Sequence, residues 1–333
     1  MISKGVIVND KGERIEALEP VIVSASRATD IPAFYMDWFM HRLKRNYALW
    51  INPFNRKKTY VSFTKTRLIV FWSKNPEPLL SYLPELEARG MHVYLHFTLN
   101  DYENEGFEPG LPSLQKRIAL FKDLSQRMGK GKTIWRFDPL LLTDKVSIDT
   151  LLAKIENIGN TLQGYTEKLV FSFADIDSYV KVKRNMQKHD IAYRSFNKDD
   201  MLAFAKGLSN LNKKWKYKLT SCCETVDLSS FGIEHNKCID DNLIIRHCYD
   251  DTLLMEHIGL KRNIFGLTEI VGSIKDKGQR KYCGCIASKD IGQYNTCLHA
   301  CVYCYANNSL EKVKEQWEEH QKNPYKESIT GLL

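Results

Sequence analysis

The residues best suited to chemistry are three closely spaced cysteines near the end of the chain, Cys297, Cys301 and Cys304. A buried structural cysteine packs as a small apolar side chain and needs no particular spacing. A metal cluster does need it, because one loop must present several thiolates to a compact centre. Three thiolates leave one iron of a 4Fe–4S cluster open to a substrate or cofactor. The spacing favours an iron–sulfur site, and a structural zinc site or a Cys-x-x-Cys dithiol is the alternative.

Four further cysteines are candidates for a second metal centre. Cys283 and Cys285 flank Gly284, which permits a bend that brings two sulfurs together. Cys222, at a predicted strand end, and Cys238 would complete a set of four. Such a set suits an electron-transfer cluster with every iron ligated, and it suits zinc equally well.

Three other residues, Cys223, Cys248 and His299, are not assigned to either metal centre. Cys223 follows Cys222 directly, so in a strand its side chain would point to the opposite face, away from the second centre. Cys248 ends an apolar run and is expected in the core. For His299, inside the three-cysteine segment, we favour a hydrogen bond to nearby backbone or substrate, and metal ligation is the alternative.

Polar and charged side chains follow the predicted strands where each apolar run stops. Long charged side chains at such positions predict a shared ligand-binding cavity, and helix caps, turns or an internal ion pair are the alternative. Arginine and lysine would bind a carboxylate or phosphate of cofactor or substrate, and Asp138 would orient Arg136 or bind a ribose hydroxyl. The candidate cofactor-binding residues are Arg27, Asp30, Lys74, Asn75, Arg136, Asp138 and Glu224.

The elements that must position these residues alternate between strands and helices. Strands are predicted at 21–25, 47–51, 68–72, 92–98, 133–137, 168–173, 216–221 and 242–247. About eight repeats over about 240 residues predict a closed (β/α)8 TIM-like barrel, complete or nearly so, and an open doubly wound sheet is the runner-up. We therefore expect an N-terminal hairpin at 1–19, the barrel at 20–260, and a cysteine-rich cap with a C-terminal helix at 261–333.

Composition narrows the class of protein further. The chain has 333 residues, a net charge of +8 and nine cysteines, all in its last third. An odd number of cysteines without a secretory signal indicates reduced thiols rather than a disulfide framework. No apolar run approaches the length of a membrane span. We expect a cytoplasmic protein without membrane partners, whose mild basic excess permits nucleic-acid contact without requiring it.

Several motifs resemble an uncharacterised bacterial family known as "domain of unknown function 1848". They are Ser26-Arg-Ala-Thr-Asp30-Ile-Pro32, Phe71-Trp-Ser-Lys74-Asn-Pro76, Trp135-Arg-Phe-Asp-Pro139 and Ser288-Lys-Asp-Ile-Gly-Gln-Tyr-Asn-Thr-Cys297. The family's C-terminal cysteines are similar to the cluster loop of radical S-adenosylmethionine enzymes, including an aromatic residue, here Tyr303, before the last cysteine. This chain differs from those enzymes because its cysteines follow the last strand instead of the first, and no Gly-Gly-Glu run is present.

Two functions follow as hypotheses. The first is a radical S-adenosylmethionine-type oxidoreductase or lyase with one 4Fe–4S cluster, a possible second, and an electron donor such as flavodoxin or ferredoxin. Its substrate would be a small or nucleotide-containing molecule bound at the barrel mouth, over which residues 283–305 would fold. The second is an iron–sulfur protein that binds nucleic acid or senses redox state without a radical step.

Overall fold

The computed structural model describes residues 2–262, 268–270, 275–276, 278–280 and 282–330. Parts of the predicted 261–333 cap, and the two ends of the chain, lie outside the described residues. The strands are β1 Ser3–Val8, β2 Arg14–Glu19, β3 Ile22–Ala25, β4 Tyr47–Ile51, β5 Lys58–Ser62, β6 Leu68–Ser73, β7 His92–Thr98, β8 Thr133–Leu140, β9 Leu142–Thr143, β10 Lys168–Phe173, β11 Tyr193–Arg194, β12 Lys218–Ser221, β13 Ile233–His235, β14 Leu260–Arg262, β15 Thr268–Ile270 and β16 Lys289–Asp290. The helices are α1 Ile31–Phe34, α2 Met36–Arg45, α3 Leu79–Ala88, α4 Leu114–Met128, α5 Ile148–Leu162, α6 Val180–Lys188, α7 Lys198–Trp215, α8 Asp241–Cys248, α9 Thr252–His257 and α10 Leu310–Lys322.

Eight parallel strands form the main sheet, in the order β13-β12-β10-β8-β7-β6-β3-β16. A smaller sheet has the order β1-β2-β5-β4, and in it β1 and β2 form the hairpin expected at the N-terminus. The β9–β11 and β14–β15 pairs are separate two-stranded ladders.

The prediction of a closed barrel is wrong. The main strands follow chain order and β16 pairs with β3, but within the described residues β13 does not pair with β16, so the sheet is open there. Closure requires a continuous ladder, and these edge strands have only three and two residues. The alternative prediction, an open doubly wound sheet, was correct in that the sheet is open. It does not describe the topology, because a doubly wound sheet reverses its strand order and this sheet runs in one direction.

Two predicted barrel strands lie elsewhere. Tyr47–Ile51 belongs to the smaller sheet, where it pairs antiparallel with β5. The predicted strand at 242–247 is helix α8, because the Asp240 side chain accepts hydrogen bonds from the first backbone N–H groups of the helix. This N-cap favours a helix more strongly than the run of β-branched residues favours a strand.

Alternation along the main strands divides the core into two layers. Val23, Ile69 and Leu95 belong to the larger cluster, which contains the side chains of helices α2 to α7. Their neighbours on the opposite face, such as Val70 and Tyr94, pack against α8, α9 and the segment that contains Cys283 and Cys285. The second face is therefore covered by chain that follows β13, and this chain occupies the gap between β13 and β16.

Candidate functional site

The cysteine loop, residues 295–307, is closed by hydrogen bonds between its two ends. The backbone N–H of Asn295 donates to the carbonyl of Ala306 at 3.1 Å, and Asn307 Nδ2 donates to the carbonyl of Cys297 at 2.8 Å. Asn295 and Ala300 have φ of 60° and 55°, so the loop turns through left-handed backbone at two positions. These turns, rather than a helix or a strand, present the three cysteines.

Asp30, in the segment that follows β3, holds the cysteine loop beside the C-terminal end of β6. Its carboxylate accepts hydrogen bonds from the backbone N–H of Lys74 at 2.8 Å and of Ala33 at 3.0 Å. His299 Nε2 lies 2.7 Å from the same carboxylate, and both side chains are buried. His299 thus makes a buried contact that positions the loop, and its partner is a carboxylate where backbone or substrate was expected.

The loop after β7 meets the cysteine loop at a glycine. A Cβ atom on Gly110 would lie 2.7 Å from the carbonyl oxygens of Leu298 and His299. The Gly110 N–H donates to the His299 carbonyl at 3.0 Å. This close approach excludes any side chain at position 110 without movement of one loop.

A buried polar network lies beneath the loop. Lys74 Nζ donates to Glu108 Oε1 at 2.6 Å and to the Tyr303 hydroxyl at 2.9 Å. Asn100 Nδ2 donates to the same hydroxyl at 3.0 Å, and Tyr303 also bonds to Glu108. Burial alone would raise the pKa of Glu108, but the charges of Lys74 and Arg117 hold it below its usual value. Lys74 is therefore an internal cation beside the cysteines.

The thiols of the cysteine loop are close enough to influence one another electrostatically. Burial raises the pKa of Cys297, and the neighbouring Asp30 and Cys304 raise it further. Burial also raises the pKa values of Cys301 and Cys304, and Lys74 opposes this increase at both sites. The thiols are therefore protonated in the absence of metal, and metal binding would release their protons.

Five other cysteines meet in the gap between β13 and β16, and we call them the five-thiol group: Cys222, Cys223, Cys238, Cys283 and Cys285. Cys222 Sγ lies 3.8 Å from Cys238 Sγ, and the backbone N–H of Cys238 donates to Cys285 Sγ at 3.2 Å. The second set predicted from sequence does come together.

Cys223 is also part of this group, contrary to expectation. β12 ends at Ser221, and Cys223 has a φ of 59°, so strand alternation no longer applies. Its thiol interacts with Cys283 instead of turning away. Cys248 is buried in the core, as predicted.

Arg136 and Asp138 lie beside the five-thiol group instead of the cysteine loop. Arg136 pairs with Asp138 and donates through Nη1 to Cys238 Sγ at 3.3 Å. Burial would lower the pKa of Arg136, but Asp138 and Cys238 raise it above its usual value. The two residues form the internal ion pair given as the alternative, which also agrees with Asp138 orienting Arg136, and the pair contacts a thiol. Ligand binding by these residues stays a prediction.

The remaining predicted residues lie between the two groups of cysteines or at their edge. The Arg27 carbonyl accepts from the Tyr305 hydroxyl at 2.6 Å, whereas the Arg27 guanidinium stacks over Trp72. Burial raises the pKa of Glu224 to about 7, and its carboxylate accepts from the Phe173 N–H at 2.9 Å. Asn75 donates its backbone N–H to Ser73.

Sequence reasoning missed a cavity of about 420 Å³ on the outer side of the cysteine loop. Phe54, Lys181 and Tyr294 contribute to its lining, and Phe54 is 84% exposed. Phe54 and Lys181 are far apart in the sequence and belong to no motif. Glu108 was also missed, because it lies in an irregular loop and belongs to no motif.

Among the described residues, two kinds of feature are absent. No three His, Cys, Asp or Glu side chains in that part of the chain form a ready-made site for a single metal ion. No helix there is long and apolar enough to cross a lipid bilayer.

The fold and site define an α/β protein with one open parallel sheet and two groups of cysteines near the ends of its strands. The chain belongs to the family described as "Domain of unknown function (DUF1848)", whose model matches residues 22–306. No curated protein and no solved structure matches the chain.

Proposed function

We propose that this protein is an iron–sulfur enzyme of radical S-adenosylmethionine type whose cluster is held by Cys297, Cys301 and Cys304. The observation that carries the proposal is the position of the cysteine loop at the C-terminal ends of β3, β6 and β7. In open α/β sheets, ligands bind in the crevice outside these strand ends.

The donor set fits an iron–sulfur cluster. Three thiols on one loop are the ligand type that iron–sulfur clusters require. Lys74 lies beneath them and would offset part of the negative charge that thiolates bring. Once reduced by an electron donor such as flavodoxin or ferredoxin, a cluster held by these three thiolates would supply an electron to a molecule bound beside it.

The chain's own residues would hold that molecule between the two groups of cysteines. Arg27 contacts Tyr305 and is within electrostatic reach of the five-thiol group, and Arg280 is within electrostatic reach of Glu224 and of Cys223. Arg280 and Arg27 would bind a carboxylate or phosphate. Tyr305, which contacts Arg27, would cover the side next to the cysteine loop.

The first test measures iron and acid-labile sulfide in anaerobically prepared protein. We expect a brown protein that loses one cluster when Cys297, Cys301 and Cys304 are all replaced by alanine. Cys248→Ala is the matched control, because Cys248 is buried in the core and is not among the thiols that contact one another in the five-thiol group. Wild-type protein from iron-replete cells that contains no iron would refute the proposal.

The second test addresses the reaction. With dithionite and S-adenosylmethionine, the clustered protein should form 5′-deoxyadenosine and methionine, and the triple alanine variant should form neither. A fully clustered protein that neither binds nor cleaves S-adenosylmethionine would exclude the radical mechanism and leave only an iron–sulfur protein.

A second candidate function, nucleic-acid binding, is favoured by a row of aromatic rings beside the cavity. Phe54, Tyr294, Tyr305 and Tyr179 follow one another with ring centroids 6.3, 6.4 and 6.0 Å apart. Lys181 lies over Tyr294 at 5.6 Å. Aromatic side chains beside cations are the usual platform for single-stranded nucleic acid.

Fluorescence anisotropy with a labelled single-stranded oligonucleotide tests this second candidate. Binding that weakens with salt, and that weakens further in Phe54→Ala, would support it. Tyr249→Ala removes an exposed aromatic ring elsewhere, 44% exposed against 84% for Phe54, and is the control. Equal binding by all three proteins, or none, would reject it.

A further inference from the structure

The five-thiol group assembles from three separate parts of the chain. Cys222 and Cys223 follow β12, Cys238 follows β13, and Cys283 and Cys285 precede β16. Cys238, Cys283 and Cys285 are 2–7% exposed. The same segments are joined by a hydrogen bond of 3.2 Å from the Ile286 N–H to the Ile239 carbonyl. The thiols therefore bridge the opening that the short edge strands leave in the sheet.

Hydrogen-bond donors converge on the sulfurs. Cys238 Sγ accepts from Asn236 Nδ2 at 3.1 Å and from Arg136 Nη1 at 3.3 Å. Cys285 Sγ accepts from the backbone N–H groups of Cys238 at 3.2 Å and Ile239 at 3.5 Å. Donors of this kind orient metal-bound thiolates and tune the metal they hold. A cysteine that serves only as a small apolar side chain needs no such donors.

Arg27 adds an unused donor to the same group. Its guanidinium lies over Trp72 at 5.3 Å and is within electrostatic reach of Asp290 and, more weakly, of three thiols of the five-thiol group. Its Nη2 atom is buried and has no hydrogen-bond partner among the described residues. A buried donor without a partner costs free energy, so its position calls for an acceptor in the space that it faces.

We propose that Cys222, Cys238, Cys283 and Cys285 bind a second metal centre, ligated entirely by thiolates and separate from the cysteine loop. The ligand chemistry suits an iron–sulfur cluster with every iron ligated, or zinc. Arg27 and Arg136 supply compensating charge. Cys223 lies next to Cys283 as an additional thiol.

The arrangement of the sulfurs agrees with this assignment. With Zn–S bonds of about 2.3 Å, tetrahedral geometry separates two thiolates by about 3.8 Å, and Cys222 and Cys238 are 3.8 Å apart. The contacts among the five thiols form a closed ring, in the order Cys222, Cys223, Cys283, Cys285 and Cys238. No three of the described side chains are yet placed to hold a single metal ion. Side-chain rotation would bring them together, since metal binding is coupled to the final ordering of its ligands.

Metal counting in two complementary variants tests the proposal independently of the proposed function. We expect anaerobically prepared Cys283→Ser/Cys285→Ser to lose the iron or zinc of one centre and to keep the metal of the cysteine loop. The triple alanine variant of the loop should show the reverse. Iron, zinc and acid-labile sulfide per chain distinguish a cluster from zinc, and Cys248→Ser is the control.

Two outcomes would overturn the second centre. One is a double serine variant with the same metal content as wild type. The other is a folded triple alanine variant, verified by circular dichroism, that contains no metal. If the double variant does not fold, the triple variant still decides the matter. Loss of metal only from the loop variant would leave the proposed function intact and reject this inference.

Discussion

At the scale of single residues, Asp30 connects three parts of the site. Its carboxylate joins the start of α1, the end of β6 and the cysteine loop through three hydrogen bonds. A carboxylate can accept all three because each oxygen has two lone pairs. An amide of the same size cannot, because half of it is a donor.

We expect Asp30→Asn to lower the free energy of unfolding by about 2 kcal/mol, because the new NH₂ group faces the Lys74 N–H and leaves a buried donor unpaired. Urea unfolding measures this change. The looser loop should also make Cys297 react faster with a thiol reagent. Asp123→Asn, on the exposed surface of α4, is the control and should change stability by less than about 0.5 kcal/mol. Equal effects of the two substitutions would contradict the role of Asp30.

At the scale of elements, the chain after β13 acts as a cover for one face of the sheet. Asp251 caps α9 by accepting the Leu254 N–H at 3.1 Å. Its carboxylate also bonds to Arg67 Nε at 2.7 Å and lies 3.0 Å from His92 Nε2, next to the starts of β6 and β7. One side chain thus connects the covering helices to the N-terminal ends of two central strands.

Asp251→Ala should destabilise the protein by about 3 kcal/mol, because it removes both a helix cap and the buried partner of Arg67. Chemical denaturation measures the loss, and Asp250→Ala, at the exposed neighbouring position, should cost far less. A comparable loss in both variants would show that Asp251 has no special role.

The pH dependence of the same interaction has a definite sign. Burial would raise the pKa of Asp251, but Arg67 holds it below its ordinary value of 3.8. Asp251 therefore stabilises the fold above about pH 4, and this contribution is lost as the pH falls through its lowered pKa. As the pH falls below about 4, Asp251→Asn should therefore lose less free energy of unfolding than wild type, because it has no carboxylate to protonate at this position. Parallel curves for the two proteins would contradict this.

At the scale of the whole molecule, the sheet is open at the point where the five-thiol group lies. β13 and β16 are the edges of the sheet, and neither is long enough to hold its position through many ladder hydrogen bonds. A metal held by cysteines on both sides would join the two edges through side chains. Metal binding would then complete a connection that backbone pairing does not make.

Hydrogen exchange tests this connection. Removal of metal should reduce protection in β13 and β16 together, because both edges lose their shared restraint. The β1–β2 hairpin lies in the other sheet and should be unchanged. Protection that falls uniformly across the chain, or not at all at these edges, would argue against a metal bridge across the opening.

The sequence by itself determined the local features of this protein. Six of the eight predicted strands lie in the main sheet, since runs such as Leu68–Ser73 and Lys168–Phe173 are apolar, β-branched and bounded by polar residues. The spacing of Cys297, Cys301 and Cys304 is likewise a local property, readable without coordinates. Periodicity reports on neighbours along the chain, which is why the strand predictions succeeded, and the iron–sulfur site inferred from the cysteine spacing stays a prediction.

Only the tertiary structure decided how distant segments meet. Strand lengths at β13 and β16, and the cap that made 242–247 a helix, left the sheet open where a barrel was expected. The left-handed backbone at Cys223 turned its thiol toward Cys283, and Arg136 reached Cys238 from a strand about 100 residues earlier. These contacts depend on backbone turns and on packing between segments far apart in sequence, so no pattern within one segment encodes them.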